Sequence, residues 1–290
     1  MRWNVALKLG RISNLPTVWT NVLAGTVLAG GTVTDPRFAL LLLAMSLFYV
    51  SGMYLNDAFD AQIDAAERPE RPIPSGQVTL RTVTTSGVAM LVAGVVVLIW
   101  VGFAGPTGTG LWPALAGLLL GAAIVFYNWH HKHNPLSPLV MGLCRMLVYI
   151  AAGVSVAVPL PPAVIVGSLL LLSYLIGLTY IAKQENLSAV GNIWPLAFLA
   201  APIIYGVYAA LDAPNALIIL AGFAIWIMLA VRFVARHGRG DIPKAVINLI
   251  AGISLLDAML IAIAGAPKLA LLSVAGFALT LALQRFIPGT

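Results

Sequence analysis

The chain has 290 residues, 60% of them hydrophobic and 9% charged, with a mean hydropathy of +0.97 and a formal net charge of +6. That balance leaves too little polar surface for a water-soluble globule of 30.5 kDa and points to an integral, multi-pass membrane protein. The basic character (pI ≈ 9.7) is explained by lysine and arginine anchoring at a membrane surface, and with no basic recognition motif present no nucleic-acid partner is expected.

Apolar runs long enough to cross about 30 Å of hydrocarbon as helices recur along the chain, and the alternating strands of a barrel are lacking. In chain order they cover roughly 12–33, 37–57, 80–103, 110–128, 135–158, 162–182, 192–211, 214–234, 243–264 and 267–286, which gives nine or ten spans. The expected fold is therefore an all-α membrane bundle, with residues 1–290 forming one membrane-embedded domain. The first run is interrupted by Pro16 and carries Asn14 and Asn21, so it is weaker than the second, and it does not read as a cleavable signal peptide. Arg145 apart, the alternation of spans places every lysine and arginine except Arg37 and Lys268 on one side. By the positive-inside rule that side is cytoplasmic, in what reads as a bacterial cytoplasmic membrane. Cys144, the single cysteine, lies in an apolar span as a packing residue and excludes intrachain disulfides.

Charge is scarce, yet half of the ten acidic residues fall between positions 57 and 70, just after the second span. Asn56, Asp57, Asp60 and Asp64 are spaced to stack on one face of a continuing helix. Like charges at the lip of a low-dielectric membrane repel strongly, so a cation is expected among them. Carboxylate and carboxamide oxygens are hard ligands suited to magnesium, which commonly shares its shell with substrate phosphates. Arg68 and Arg71 follow, in a turn stiffened by Pro69, Pro72 and Pro74, and can aim guanidinium groups at phosphate oxygens. The plainer alternative is a solvated loop whose acids pair with its arginines.

The string Asn56-Asp57-x-x-Asp60-x-x-x-Asp64, followed by Arg68 and Arg71-Pro72-Ile73-Pro74-Ser75-Gly76, resembles the first aspartate-rich motif of the UbiA superfamily of intramembrane prenyltransferases. The resemblance covers nearly the whole chain. It implies nine helices around a central cavity open to the cytoplasmic side, and two Mg2+ ions held in part by Asn56, Asp57, Asp60 and Asp64. It further implies ionisation of an allylic polyprenyl diphosphate whose cation is captured by a small hydrophobic or aromatic acceptor, with Asp60, Asp64 and Lys132 in the catalytic set, which Arg145 joins on its own position inside the fifth span. A tenth span is a departure.

Tyr127 to Asn134, ending the fourth span, resembles that family's Tyr and Lys motif, which implies that Tyr127 supports the cavity and Lys132 holds phosphate. His130, His131 and His133 do not read as a metal site, because helical neighbours at i and i+1 diverge by about 100°. In the loop after the sixth span the family carries a second aspartate pair, but this chain has Glu185 alone, with Lys183 and Leu187 at the aspartate positions. Glu185 and Asn186 retain the second metal, or the fixed charge of Lys183 replaces it. Lys183 and Tyr180 join Asn56, Arg68, Arg71, Tyr127 and Lys132 as expected substrate-binding residues.

Arg145, well inside the fifth span, is too costly there to be idle; it reaches the diphosphate or pairs with Asp257. A cavity that protects a carbocation needs aromatic walls, for which Phe48, Tyr49, Tyr54, Tyr149, Tyr174 and Tyr180 are candidates. A CDP-alcohol phosphotransferase is disfavoured for want of its Asp-Gly motif, and a transporter for want of broken midplane helices. The competing class is a non-catalytic carrier or accessory protein that binds a polyprenyl diphosphate and releases it unchanged.

Overall fold

The structure, a computed structural model, describes residues 2–132, 134–183, 196–236 and 240–287. Twelve α-helices and no strand occur among them: α1 (Trp3–Leu9), α2 (Leu15–Leu28), α3 (Pro36–Phe59), α4 (Ala61–Glu67), α5 (Leu80–Phe103), α6 (Trp112–His130), α7 (Ser137–Val154), α8 (Pro162–Lys183), α9 (Ala197–Ala209), α10 (Leu217–Arg236), α11 (Asp241–Ile263) and α12 (Pro267–Gln284).

Ten of these answer to the ten apolar runs, but among the described residues eight are long and apolar enough to cross a membrane. The exceptions are α2 and α9. The first span, expected over roughly 12–33, contracts to the 14 residues of α2, about 21 Å of helix at 1.5 Å per residue. Arg11 takes a left-handed conformation (φ 42°) that breaks the chain before it, and Gly30 (φ 81°) turns the chain after it.

Successive helices pack side by side from α3 through α5, α6 and α7 to α8, and again from α10 to α12. The short α2 touches α3, α7, α11 and α12, closing the ring. Helix α11 is the central post, largely buried, whereas α5, α10 and α12 turn apolar side chains such as Val96, Trp100, Ile218 and Leu271 outward, as a lipid-facing skin requires.

At the end remote from the acidic cluster, one arginine ties three segments together. Asp35 caps α3 by accepting from the Arg37 backbone N–H (2.8 Å), with Pro36 at the first helical position. The Arg37 side chain donates to both Asp35 oxygens (2.6 to 3.1 Å), to the Thr107 carbonyl (2.8 Å) and to the Ser155 carbonyl (3.2 Å). These hydrogen bonds hold the Asp35 carboxyl below its ordinary pKa, against the opposing effect of partial burial. A carboxyl lowered in the folded state contributes stability that is present above its unfolded value and lost as pH falls through the folded one. Arg37→Gln is expected to cost about 2–3 kcal/mol at neutral pH, read as a lower thermal unfolding midpoint in detergent. The gap between variant and parent should narrow below about pH 4, where the parent's Asp35 also protonates.

Candidate functional site

A cavity of about 880 Å³ lies between α2, α3, α6, α7, α8 and α11. Its deeper wall is apolar, built from side chains such as Met45, Phe48, Leu120, Val148 and Leu178, and its rim is crowded with charge. The site residues sit where α3 gives way to α4. Asp60 forms the junction with near-helical φ and ψ (−82°, −4°), and backbone bonds run Asp60 to Asn56 (3.0 Å) and Asp64 to Asp60 (2.8 Å). The helical stacking of Asn56, Asp60 and Asp64 therefore survives the junction, and all three line the cavity.

Asp57 does not line it. Its carboxylate lies between two guanidinium groups, Arg11 and Arg71, each at 3.4 Å. The four-oxygen wall expected from spacing is thus a three-oxygen wall, with the Asp57 carboxylate anchoring two arginines instead. Arg71 also meets Asp64 at 2.9 Å. Asp60 faces His131 Nε2 at 3.5 Å and Lys132 Nζ at 3.8 Å. Burial alone raises the Asp60 carboxyl, but the hydrogen bond from His131 and the charges of His131, Lys132 and Arg71 outweigh it and hold the group below its usual range.

Asn56 is fixed by a carboxamide pair. Its Nδ2 donates to Asn128 Oδ1 (3.1 Å), and Asn128 Nδ2 donates to the Gly52 carbonyl (3.1 Å). The Asn56 Oδ1 is thereby turned toward Arg11, which donates to it at 3.2 Å. Arg68, Arg71, Tyr127, Lys132 and Lys183 also line the cavity, with Lys183 donating to the Asn134 carbonyl at 2.6 Å. Tyr127 stacks on His131 (centroids 5.1 Å apart). Tyr180 is not on the cavity wall. Of the other aromatic candidates, Phe48 and Tyr49 line it, while Tyr54, Tyr149 and Tyr174 turn elsewhere: their hydroxyls donate to the Ala6 carbonyl, to Asp257 and to the Leu249 carbonyl. Cys144 is half-buried, unbonded to another cysteine, and on the wall. Glu185, Asn186, Leu187 and His133 lie outside the described residues.

Arg145 also lines the cavity, but Asp257, its expected partner within the chain, does not touch it directly. Its Nη1 donates to Asn21 Oδ1 (2.9 Å) and its Nη2 to Thr17 Oγ1 (3.0 Å), and Asn21 in turn donates to both oxygens of Asp257 (2.8 and 3.1 Å). The reading of a direct Arg145–Asp257 pair is thus replaced by one relayed through a carboxamide. Arg11, Asn21 and Asn128 are site residues that sequence reasoning passed over; polar side chains inside or beside apolar runs were the available signal.

Among the described residues no three His, Cys, Asp or Glu side chains close around one point as a complete metal cage would require. The donors present are hard oxygens spread along a wall, which fits an ion that brings most of its own shell, as magnesium does with water and phosphate. Asn56, Asp60 and Asp64 are the side chains that would hold it.

A sequence profile of the UbiA prenyltransferase family matches residues 18–252. The chain belongs to this family. Digeranylgeranylglyceryl phosphate synthase of Metallosphaera sedula is 33% identical over 125 residues, 43% of this chain and 41% of that protein. The enzyme of the same name from Methanopyrus kandleri is 28% identical over 265 residues, 89% of each chain. The matches to the Metallosphaera sedula and Sulfolobus acidocaldarius proteins thus span 41% and 35% of their lengths, well under half. A solved structure of digeranylgeranylglyceryl phosphate synthase in membranes superposes with a TM-score of 0.65 at 18% identity, over 91% of this chain and 98% of that one, and shows the shared UbiA-type fold.

Proposed function

We propose that the chain is a magnesium-dependent prenyltransferase that moves a prenyl group from an allylic polyprenyl diphosphate to an acceptor inside the membrane. The observation that carries this reading is the layout of the cavity, a rim of carboxylates and cations above an apolar chamber. Bound magnesium supplies neutralisation of the departing diphosphate. Asn56, Asp60 and Asp64 bind at the rim, while Arg68, Arg71 and Lys132 orient the phosphate oxygens. Phe48, Tyr49 and the aliphatic wall exclude water and present ring faces that tolerate positive charge on the prenyl carbon. The rim faces the cytoplasm in this reading, since it gathers the basic side chains that the positive-inside rule assigns there.

An aromatic acceptor was the first expectation, but the names of the relatives favour a glyceryl phosphate whose free hydroxyl is alkylated. The test uses purified protein in liposomes with geranylgeranyl diphosphate and two acceptors, geranylgeranylglyceryl phosphate and 4-hydroxybenzoate. Transfer with pyrophosphate release is expected, preferentially to the first. Chelation should reduce it by about a hundredfold or more, with recovery on adding Mg2+. Donor binding without pyrophosphate release would overturn the reading in favour of a carrier.

A further inference from the structure

We infer that Arg145, aimed by the relay through Asn21 to Asp257, grips the anionic group of the prenyl acceptor, separately from the diphosphate site at the rim; this rests on the prenyl-transfer reading above.

The relay has one self-consistent polarity. Tyr149 Oη and Asn21 Nδ2 both donate to the Asp257 carboxylate (2.6 Å from Tyr149, 2.8 and 3.1 Å from Asn21). Asn21 must then present its oxygen to the guanidinium. The Thr17 hydroxyl donates to the Asn14 carbonyl (2.7 Å), so toward Arg145 it can only accept. The rotamer of Arg145 is thereby set by two acceptors on α2, and its plane lies against Tyr49, 5.6 Å from the ring centroid. Asp257 is fully buried and off the cavity wall, whereas the remaining surface of Arg145 belongs to that wall.

A guanidinium carries five N–H donors, and the described contacts use one each on Nη1 and Nη2. No carboxylate among the described residues lies within ion-pairing distance of it. Asp257 meets it only across the Asn21 amide, so the relay orients Arg145 without occupying its cavity-facing donors. In a low-dielectric chamber such donors call for an oxyanion.

Depth decides which oxyanion. Arg145 lies level with Tyr49, eleven residues before Asp60 on an almost continuous helix. At 1.5 Å per residue that is roughly 16 Å below the rim acids, several hydrogen-bond lengths beyond a diphosphate held at Asp60 and Asp64. The group at Arg145 therefore belongs to the second substrate, whose nucleophilic oxygen or carbon lies between the two sites, where the prenyl carbon is released. Phosphate and carboxylate share this chemistry.

The experiment uses the full chain in liposomes with geranylgeranyl diphosphate and two charged acceptors, geranylgeranylglyceryl phosphate and 4-hydroxybenzoate, each beside an uncharged counterpart, geranylgeranylglycerol and phenol. Arg145→Gln is expected to raise KM for the charged acceptor by about tenfold or more, and to impair transfer to the uncharged counterpart far less, with KM for the donor little moved. Asp257→Asn, a positioning variant, should raise the same KM less, and Arg145→Lys should recover part of the loss. Which charged acceptor responds distinguishes phosphate from carboxylate. A parallel rise in donor KM, or equal losses for charged and uncharged acceptors, overturns the inference. If the parent transfers to none of the four, the prenyl-transfer reading fails and thermal shift decides the inference alone. Stabilisation of the parent by a charged acceptor beyond its uncharged counterpart, absent in Arg145→Gln, upholds it, and no such difference in the parent overturns it. Should Arg145→Gln fail to accumulate, Arg145→Lys and Asp257→Asn carry the same comparison.

Discussion

Prenyl transfer in isolated membranes is expected to fall by about a hundredfold or more when Asp60 or Asp64 is replaced by alanine, the scale on which removing one preorganised charge-stabilising group acts. Both carboxylates are buried, one helical turn apart on the cavity wall, and each already faces basic side chains: Lys132 and His131 at Asp60, Arg71 at Asp64. Deleting either leaves the rim with excess positive charge and one hard ligand fewer for a divalent ion. Asp57→Ala should act differently. With its carboxylate turned from the cavity onto Arg11 and Arg71, its loss should loosen those arginines and raise donor KM more than it lowers kcat. Turnover unchanged in both the Asp60 and Asp64 variants would remove the metal assignment altogether.

The second large effect concerns folding. A side chain introduced at Gly25 would place its Cβ 2.8 Å from the Tyr149 carbonyl oxygen and 2.9 Å from the Ala152 Cβ, where α2 crosses α7. Backbone cannot yield as a flexible side chain can, so the helices must separate. Gly25→Val is expected to destabilise the protein by about 1–3 kcal/mol or more, the usual range for overpacking, seen as lower yield in membranes and an earlier thermal transition. Because α2 also carries Thr17 and Asn21, the shift would pull both acceptors from Arg145. Gly222, where an added methyl would meet nothing within 4 Å, is the control position, and alanine there should not lower the transition.

Much of this was legible in the sequence because the physics is one-dimensional. Helices in hydrocarbon must satisfy their own backbones, so apolar runs map directly onto spans, and ten runs became ten helices. The helical spacing of Asn56, Asp60 and Asp64 likewise placed three oxygens on one wall without further information. What failed to read through was rotation and reach. Asp57 differs from Asn56 by one position, about 100° around the helix, and that turn exchanges the cavity for the arginines. Arg11 enters the site because a left-handed residue lets the chain before α2 fold back over α3, a local break with no apolar pattern to announce it. The partnership of Arg145 and Asp257 was foreseeable as a need for neutralisation, but the interposed Asn21 lies 124 residues from one and 236 from the other. No spacing rule reaches that far.

On the proposed function, the Arg37 clasp bears on how a long-tailed lipid would enter and leave. With three segments bound to one guanidinium at the base, the bundle resembles a bouquet tied at its stems: bending that parts the helices is resisted there, at the end opposite the charged rim. Opening wide enough to admit a hydrocarbon chain therefore need not breach the foot of the barrier, and the permeability seal can persist through every exchange of guests.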